Sequence, residues 1–268
     1  MLSMSEIPKI LHYAWFGGKV KPQYLIDNIK SWKKYMPEYE IHEWNENNWD
    51  INKNAFSHYF SEKKLWGFVS DVLRVDVLKE FGGIYLDTDV ELKQSLKPFE
   101  ELPLFLSMHF SNAIGTSLIG AEKNNETITE LADYYDSLTY TQIIKEDFDP
   151  VNNGIFTRFF IKKYNTFKFI NRKQIFDDGT VIFPNYVFVI PAFFSKHNFA
   201  IHQLRATWQS KKENGEQSLT FKGYLKNKLN KFHFGEVILI RYSFWVQSRN
   251  NSIAYEFGKK KSFRKNRS

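Results

Sequence analysis

The stretch Phe81-Gly82-Gly83-Ile84-Tyr85-Leu86-Asp87-Thr88-Asp89-Val90-Glu91 decides how the chain is read. A glycine pair ends one element, and Ile84-Tyr85-Leu86 make a short apolar strand. Two carboxylates follow, one residue apart. In an extended backbone, side chains i and i+2 share a side. Asp87 and Asp89 are therefore expected to face one way and Thr88 the other. Adjacent carboxylates at the end of an apolar strand repel each other and lose hydration. A hard divalent cation relieves both, and oxygen ligands suit Mg²⁺ or Mn²⁺. Alone, the triplet reads as a solvated turn after a strand, because such triplets are common. The residues around it shift that reading.

Upstream, residues 65–81 read as a helix, with Leu65, Phe68, Val69, Val72 and Val75 as its apolar stripe. Asp71 and Arg74 share a neighbouring face. Taken alone, they make a surface ion pair of small worth. Gly82-Gly83 then turns this helix directly into the aspartate strand, so its end is tied close to the carboxylates. At the start, residues 7–16 (IPKILHYAWF) read as the first strand, followed by Gly17-Gly18. Pro22 opens a helix in which Leu25, Ile29, Trp32 and Met36 recur at helical spacing until Pro37. Residues 39–44 form a second strand. Strand, helix, strand in about forty residues implies a parallel pair with a right-handed crossover. Ligands of such sheets bind beyond the carboxyl ends of the strands, here at Trp15, Phe16, Gly17 and Gly18. Glycine lets a backbone approach a ligand closely. Trp15 could stack on a flat base, although a tryptophan by itself in this position is more often core than ligand.

Further on, residues 102–110 and 113–121 read as a hairpin around Ser111-Asn112. Residues 125–138 form a helix, and Asp149-Pro150 opens another through Phe156, Phe159, Phe160 and Lys163. Residues 167–190 read as two or three short strands. Ala200-Ile201-His202 and Trp208 follow. Residues 221–232 are a basic amphipathic helix candidate. Residues 237–246 are apolar but contain Arg241 and are too short to span a bilayer. No internal repeat or Gly/Ser linker interrupts the chain. The partition expected is one α/β domain over residues 1–210 with a basic helical appendage over 211–268.

Bulk composition bounds the reading. With 268 residues, 43% hydrophobic and 18% aromatic, the chain can bury a sizeable core. It has no Cys, which excludes disulfides, thiolate metal sites and a cysteine nucleophile and fits a cytoplasmic setting. No signal peptide is expected at Met1-Leu2-Ser3-Met4, and no apolar run is long enough to span a membrane. Of the net charge of +7, the residues from Lys211 onward carry 14 Lys/Arg against 4 Glu, or +10, leaving −3 for the first 210. A basic tail on an acidic body suits an anionic membrane surface, hence a peripheral position on its inner face, or a solubilising end.

Three pieces together resemble the DXD-containing sugar transferases: IPKILHYAWFGG, SDVLRVDVLKEFGGIYLDTD and AIHQLRATW. This is the family of bacterial capsular-polysaccharide enzymes and the fungal initiating α-1,6-mannosyltransferase, and the middle piece is also similar to the clostridial glucosylating toxins. The resemblance implies a GT-A fold, Rossmann-like in its nucleotide-sugar binding, a nucleotide-sugar donor, a divalent metal (usually Mn²⁺, otherwise Mg²⁺) and retention of anomeric configuration. It implies catalytic roles for Asp71, Arg74, Asp87 and Asp89. Trp15 would stack on the donor base, with Phe16, Gly17, Ser70, Tyr85 and Trp208 also lining the donor site. Asp71 and Arg74 would hold the sugar hydroxyls. Asp89 would bind the metal directly, Asp87 through water, and His202 would be a late ligand. The segment Gln203-Leu204-Arg205-Ala206-Thr207 departs from the shorter Gly- or Ser-containing stretch of many members. UDP is favoured by analogy over GDP, and the acceptor would be a glycan or a lipid-linked glycan.

Two rivals exist. Residues 84–90 also resemble the first motif of haloacid-dehalogenase-type phosphatases, with Asp87 as nucleophile and Asp177-Asp178 as a later acidic pair. That reading leaves Ser70, Asp71 and Arg74 without a role. A basic-tailed nucleic-acid binder is disfavoured by the acidic body and the lack of a basic-aromatic module.

Overall fold

The computed structural model describes residues 6–192, 194–203, 233–250, 253 and 256. The opening unit is the expected one: β1 (Ile10–Ala14), α1 (Gln23–Tyr35) and β2 (Glu40–Trp44). Pro22 caps α1, whose Leu25 and Trp32 are buried. The two strands pair in parallel from Ile10↔Glu40 to Ala14↔Trp44. Next come α2 (Ala55–Glu62), α3 (Trp66–Phe81), β3 (Gly83–Leu86) and the short β4 (Val90–Leu92). β3 lies parallel on the other side of β1, so β1 is internal. The expected hairpin is present as β5 (Leu104–Phe110) and β6 (Ala113–Ala121), with β6 antiparallel to β3. After α4 (Glu126–Ser137), α5 (Tyr140–Ile143) and α6 (Asn152–Lys163), β7 (Gln174–Ile175) and β8 (Val181–Phe183) complete the sheet. Its order is β2-β1-β3-β6-β5-β8-β7. The class is α/β, as expected, with a mixed rather than purely parallel sheet.

Helices cover both faces, so the strands alternate between two cores. Ile84 and Leu86 point into one with Leu11, Tyr13, Leu25 and Trp32. Tyr85 points into the other with Phe56, Val69, Leu131 and Phe156. Two readings need correction. Residues 167–190 hold two short strands followed by α7 (Asn185–Phe188), because Pro184 supplies a helix start that a strand reading ignores. The apolar stripe drawn on α3 is too narrow: Asp71, Leu73, Arg74, Val77 and Leu78 are buried as well. The helix is packed on nearly every side, by α2, α4 and the sheet.

A second, two-stranded sheet pairs β4 antiparallel with β9 (Ala200–His202), with Val90 opposite His202. It carries the late histidine across to the aspartate segment. Beyond it, the helix His233–Asn250 docks on the body through Phe244 against Val189 and Ile190, and Asn112 Nδ2 donates to the Ser248 carbonyl at 2.7 Å. The helix expected over 221–232 and the boundary at 210 lie outside the described residues. No helix among the described residues is long and apolar enough to cross a membrane.

The Gly82-Gly83 turn is fixed by geometry and by one histidine. Gly82 has φ +66°, and a Cβ there would sit 2.6 Å from the Lys123 backbone nitrogen. His12, fully buried in β1, lies with Nδ1 3.1 Å from Trp44 Nε1 and Nε2 2.8 Å from the Gly82 carbonyl. An indole N–H only donates. Nδ1 must therefore accept, and Nε2–H donates to Gly82, so the ring is neutral. Burial pushes its pKa down to about 4. The unfolded value is near 6.5, so the unfolded chain binds the extra proton as pH falls between the two. Stability should be whole above pH 6.5 and fall by about 3 kcal/mol as pH drops toward 4. Urea denaturation across this range should show the loss, and His12→Gln should show a shallower one. Equal slopes in both proteins would remove His12 from this role.

Candidate active site

Asp87 and Asp89 do not lie on a continuing strand. β3 ends at Leu86, and the Val90 N–H donates to the Asp87 carbonyl at 3.0 Å, closing a turn over Thr88 and Asp89. Strand alternation therefore does not bring the carboxylates together; the turn does. Three other elements hold it. The Asp87 N–H donates to the Ser117 carbonyl of β6 at 2.8 Å. Asn28 Nδ2 of α1 donates to the Thr88 carbonyl at 2.9 Å. The Gln203 N–H, just past β9, donates to the Asp89 carbonyl at 2.8 Å. Asp87, Asp89 and His202 each then present a ligand atom, all within 4.8 Å of one another. His202 Nε2 is 3.1 Å from Asp89 Oδ1. His202 Nδ1 is buried and lacks a hydrogen-bond partner among the described residues.

Helix α3 supplies the other half. Arg74 Nη2 is 2.6 Å from Asp71 Oδ1 and 3.3 Å from Asp87 Oδ1. Its Nη1 donates to the Thr116 carbonyl at 2.5 Å, and its guanidinium lies 4.9 Å over the Tyr85 ring. Arg74 and Asp71 are 3% and 7% exposed. The surface ion pair read from their i, i+3 spacing is thus a buried one, because α3 is covered on that face by β6 and α6. Asn152 Nδ2, at the start of α6, donates to Asp71 Oδ1 at 3.1 Å, and the Tyr135 hydroxyl donates to Asn152 Oδ1 at 2.8 Å. The Ser70 hydroxyl donates to the Gly67 carbonyl at 2.7 Å.

The electrostatics follow from the count of charges. Asp71, Asp87 and Asp89 share one arginine and one histidine. Burial pushes Asp71 up to about 7 against the pull of Arg74. Burial also raises Asp87, with Asp89 adding to the rise and Arg74 and His202 opposing it. For His202, burial works downward, but the hydrogen bond and charge of Asp89 outweigh it and the pKa is raised. Every shift favours adding positive charge. Two carboxylates and an imidazole with an unpartnered buried nitrogen fit a divalent cation.

At the carboxyl end of β1, Trp15 is half-buried and its Nε1 donates to the Lys19 carbonyl at 2.7 Å. Two neighbours are placed differently from expectation. Phe16 is buried, with its ring stacked 5.9 Å from Trp66, so it serves the core. The Gly17 N–H is held by Glu46 Oε1 at 3.1 Å, and at φ +83° a Cβ would meet Trp66 Nε1 at 2.6 Å. Glycine at this position makes room for Trp66. Trp208 and Thr207 lie outside the described residues. Asp178, the acidic residue a phosphatase would need, instead caps its own turn: it takes the Tyr164 hydroxyl at 2.6 Å and the Thr180 N–H at 2.9 Å. Sequence reasoning missed Asn28 and Asn152, which carry no local signal beyond their helix positions. It also missed His109 of β5, whose ring lies 6.0 Å from that of His202 and whose pKa burial lowers to about 3.

Residues 22–106 match the family described as "Glycosyltransferase sugar-binding region containing DXD motif". This segment, about a third of the chain, is similar to that region. The matched residues contain α1, α3, Asp71, Arg74, Asp87 and Asp89, while β6, α6 and β9, which complete the cluster, lie beyond them. Among characterised relatives, "Subversion of eukaryotic traffic protein A" of Legionella pneumophila is 26% identical over 177 residues, covering 54% of this chain and 27% of the relative. "Inositol phosphoceramide mannosyltransferase 3" of Schizosaccharomyces pombe is 25% identical over 137 residues, covering 47% of this chain and 36% of the relative. The chain thus spans about a third or less of the length of these relatives. Among solved structures, "PaToxG Glycosyltransferase" aligns with a TM-score of 0.48 and 20% identity, over 59% of this chain and 70% of that one.

Removing the shared cation of the DXD region should be costly for the fold itself. Arg74→Leu leaves Asp71 and Asp87 buried without their partner, and stability should fall by about 3–5 kcal/mol at neutral pH. The loss should shrink on acidification, as the two raised carboxyls take up protons. Denaturation midpoints at pH 7 and pH 5 measure both; a loss under about 1 kcal/mol would mean that the pair is solvated.

Proposed function

We propose that this protein is a metal-dependent, retaining glycosyltransferase of GT-A architecture. It moves a sugar from a nucleotide-sugar donor, UDP-sugar in preference to GDP-sugar, to a glycan or lipid-linked glycan in surface-polysaccharide synthesis. The observation that carries the reading is one guanidinium, Arg74, bonded to both Asp71 and Asp87 beside Asp89 and His202. That arrangement joins a polyhydroxyl-binding pair to a cation site. The DXD region matched over residues 22–106 supports the reaction class. A relative named as an inositol phosphoceramide mannosyltransferase supports a lipid-borne acceptor.

Asp89, Asp87 and His202 would hold the cation, and the imidazole favours a transition ion such as Mn²⁺ over Mg²⁺. When bound, such an ion supplies a Lewis acid for the charge that builds on the leaving diphosphate. The protein's own residues do the rest. Trp15 stacks on the base. Arg74, permanently charged and fixed by Thr116 and Tyr85, presents its donors without reorganisation. Asp71, held by Asn152, accepts from sugar hydroxyls as the ring gains oxocarbenium character, by analogy with glycosidases. The acceptor oxygen attacks the anomeric carbon from the face that the diphosphate leaves. One C–O bond forms as the C–O bond to phosphate breaks, and the departing phosphate takes the hydroxyl proton. The basic stretch after Lys211 would keep the enzyme at the inner face of an anionic membrane, where lipid-borne acceptors lie.

Asp89→Asn should reduce Mn²⁺-dependent UDP-sugar turnover by about 10²–10³-fold and abolish the Mn²⁺-dependent thermal shift with UDP. A variant with ordinary turnover in Mn²⁺ would rule out the metal role. Trp15→Ala should weaken nucleoside diphosphate binding by about 1–3 kcal/mol. Calorimetric titration with UDP and GDP reads this, and an unchanged affinity returns Trp15 to the core.

A further inference from the structure

The helix His233–Asn250 has two faces of different fate. Val237, Phe244 and Ser248 are buried against the body. Ile238, Tyr242 and Trp245 are 54%, 62% and 52% exposed. With Arg249 they recur at intervals of four, three and four residues. At 100° per residue that spacing confines the four side chains to an arc of about 60°. The arc is organised: the Tyr242 and Trp245 rings stack at 5.8 Å, and the Arg249 guanidinium lies 5.1 Å over Trp245. Large apolar side chains normally serve a core, and a contiguous exposed row of them marks a contact surface. Nothing in the proposed transfer reaction uses this row.

We propose that this face is a membrane wedge, which lies in the headgroup layer of an anionic bilayer with Ile238, Tyr242 and Trp245 inserted and Arg249 at the phosphates. Charge complementarity selects the occupant. Residues 211–268 contain 14 Lys/Arg and 4 Glu. Within His233–Asn250 no acidic residue stands on the arc, and Glu256, beyond it, is paired with Arg158 at 2.8 Å. Tyr and Trp with an adjacent cation are the side chains that suit a boundary, apolar on one end and wet on the other. The helix is not apolar enough to cross, which leaves the interfacial mode, where apolar burial and attraction to anionic lipid act together. The proposal extends the general attraction of a basic tail to named side chains. Its buried side also gives it a route to the site: Phe244 packs 5.3 Å from His109, whose ring is 6.0 Å from His202. A bilayer bound at the outer face would therefore lie across this helix and the His109 ring from His202.

The test uses the full chain and sedimentation with vesicles of phosphatidylcholine alone or of equimolar phosphatidylcholine and phosphatidylglycerol. The intact protein should sediment with the anionic vesicles and remain largely free of the neutral ones. Tyr242→Ala with Trp245→Ala should lower the anionic partition by about tenfold or more, with unchanged melting and unchanged vesicle-free UDP-sugar hydrolysis. Asp89→Asn should do the reverse, losing hydrolysis and keeping the vesicles, so the two readings fail separately. Absence of anionic binding, equal binding to neutral vesicles, or wild-type partition of the double variant would each overturn the wedge. A concentration-dependent dimer that the double variant abolishes would assign the face to a second copy of the chain instead.

Discussion

One buried guanidinium is the constraint on which the rest of this structure depends. Arg74 is taken out of water together with Asp71 and Asp87, and desolvating such charges costs several kcal/mol per ion before any attraction is counted. That cost is offset by two carboxylates, the Thr116 and Ser70 carbonyls and the face of Tyr85. The partners come from α3, the turn after β3, β6 and β3 itself. The network therefore ties the helix to the sheet at the one place where the chain must also open toward a ligand. Apolar residues of like volume in place of the whole charged network, rather than of one partner, would serve stability as well or better. The retention of charge here is intelligible as chemistry rather than as packing.

Much of this was legible in the sequence, and for identifiable reasons. The β1-α1-β2 unit could be read because Pro22 and Pro37 bracket an apolar spacing that only a helix explains. The hairpin could be read because Ser111-Asn112 separates two apolar runs. The convergence of α3 on the aspartates followed from Gly82-Gly83, which leaves no room for a longer connection. What could not be read was burial. Spacing of i, i+3 is the same for a surface pair and a buried one, and only the packing of β6 and α6 on α3 distinguishes them. Likewise, Asp-Thr-Asp looks extended on paper, but the Val90 N–H returns to Asp87 and makes a turn. Asn152 and Asn28 act from helices distant in sequence, and their roles exist only once those helices dock. Phe16 sits where a ligand-binding edge was expected, but its ring stacks on Trp66, and Gly17 leaves room for that indole.

The two-stranded sheet has a purpose that neither the large sheet nor the helices supply. β3 ends at Leu86, so the carboxylates hang on a loop that would otherwise be loose. Pairing β4 with β9 gives that loop a second anchor, and the Val90↔His202 register sets the imidazole opposite Asp89. Asn28 closes the arrangement by bonding both the Thr88 carbonyl and the Gln203 side chain. The turn is thus held by backbone contacts, and the carboxylates meet Arg74 and His202 from it.

The pairing of His202 with Asp89 has a further consequence on the proposed reading. Protonated, the ring is a monovalent counter-ion for a pocket rich in carboxylate, and its raised pKa, with Asp89 outweighing burial, expresses that demand. A divalent ion meets the same demand more fully, but the ring can ligate only after losing its proton. Proton and metal therefore compete for one position, and the pocket is never left with bare charge. Without an ion, the ring can hold that proton and pair with Asp89, which it meets at 3.1 Å. The fold need not rearrange between those states, because the exchange happens within a cluster already held from β3, β9 and α1. A site built this way pays little in stability for an ion that comes and goes.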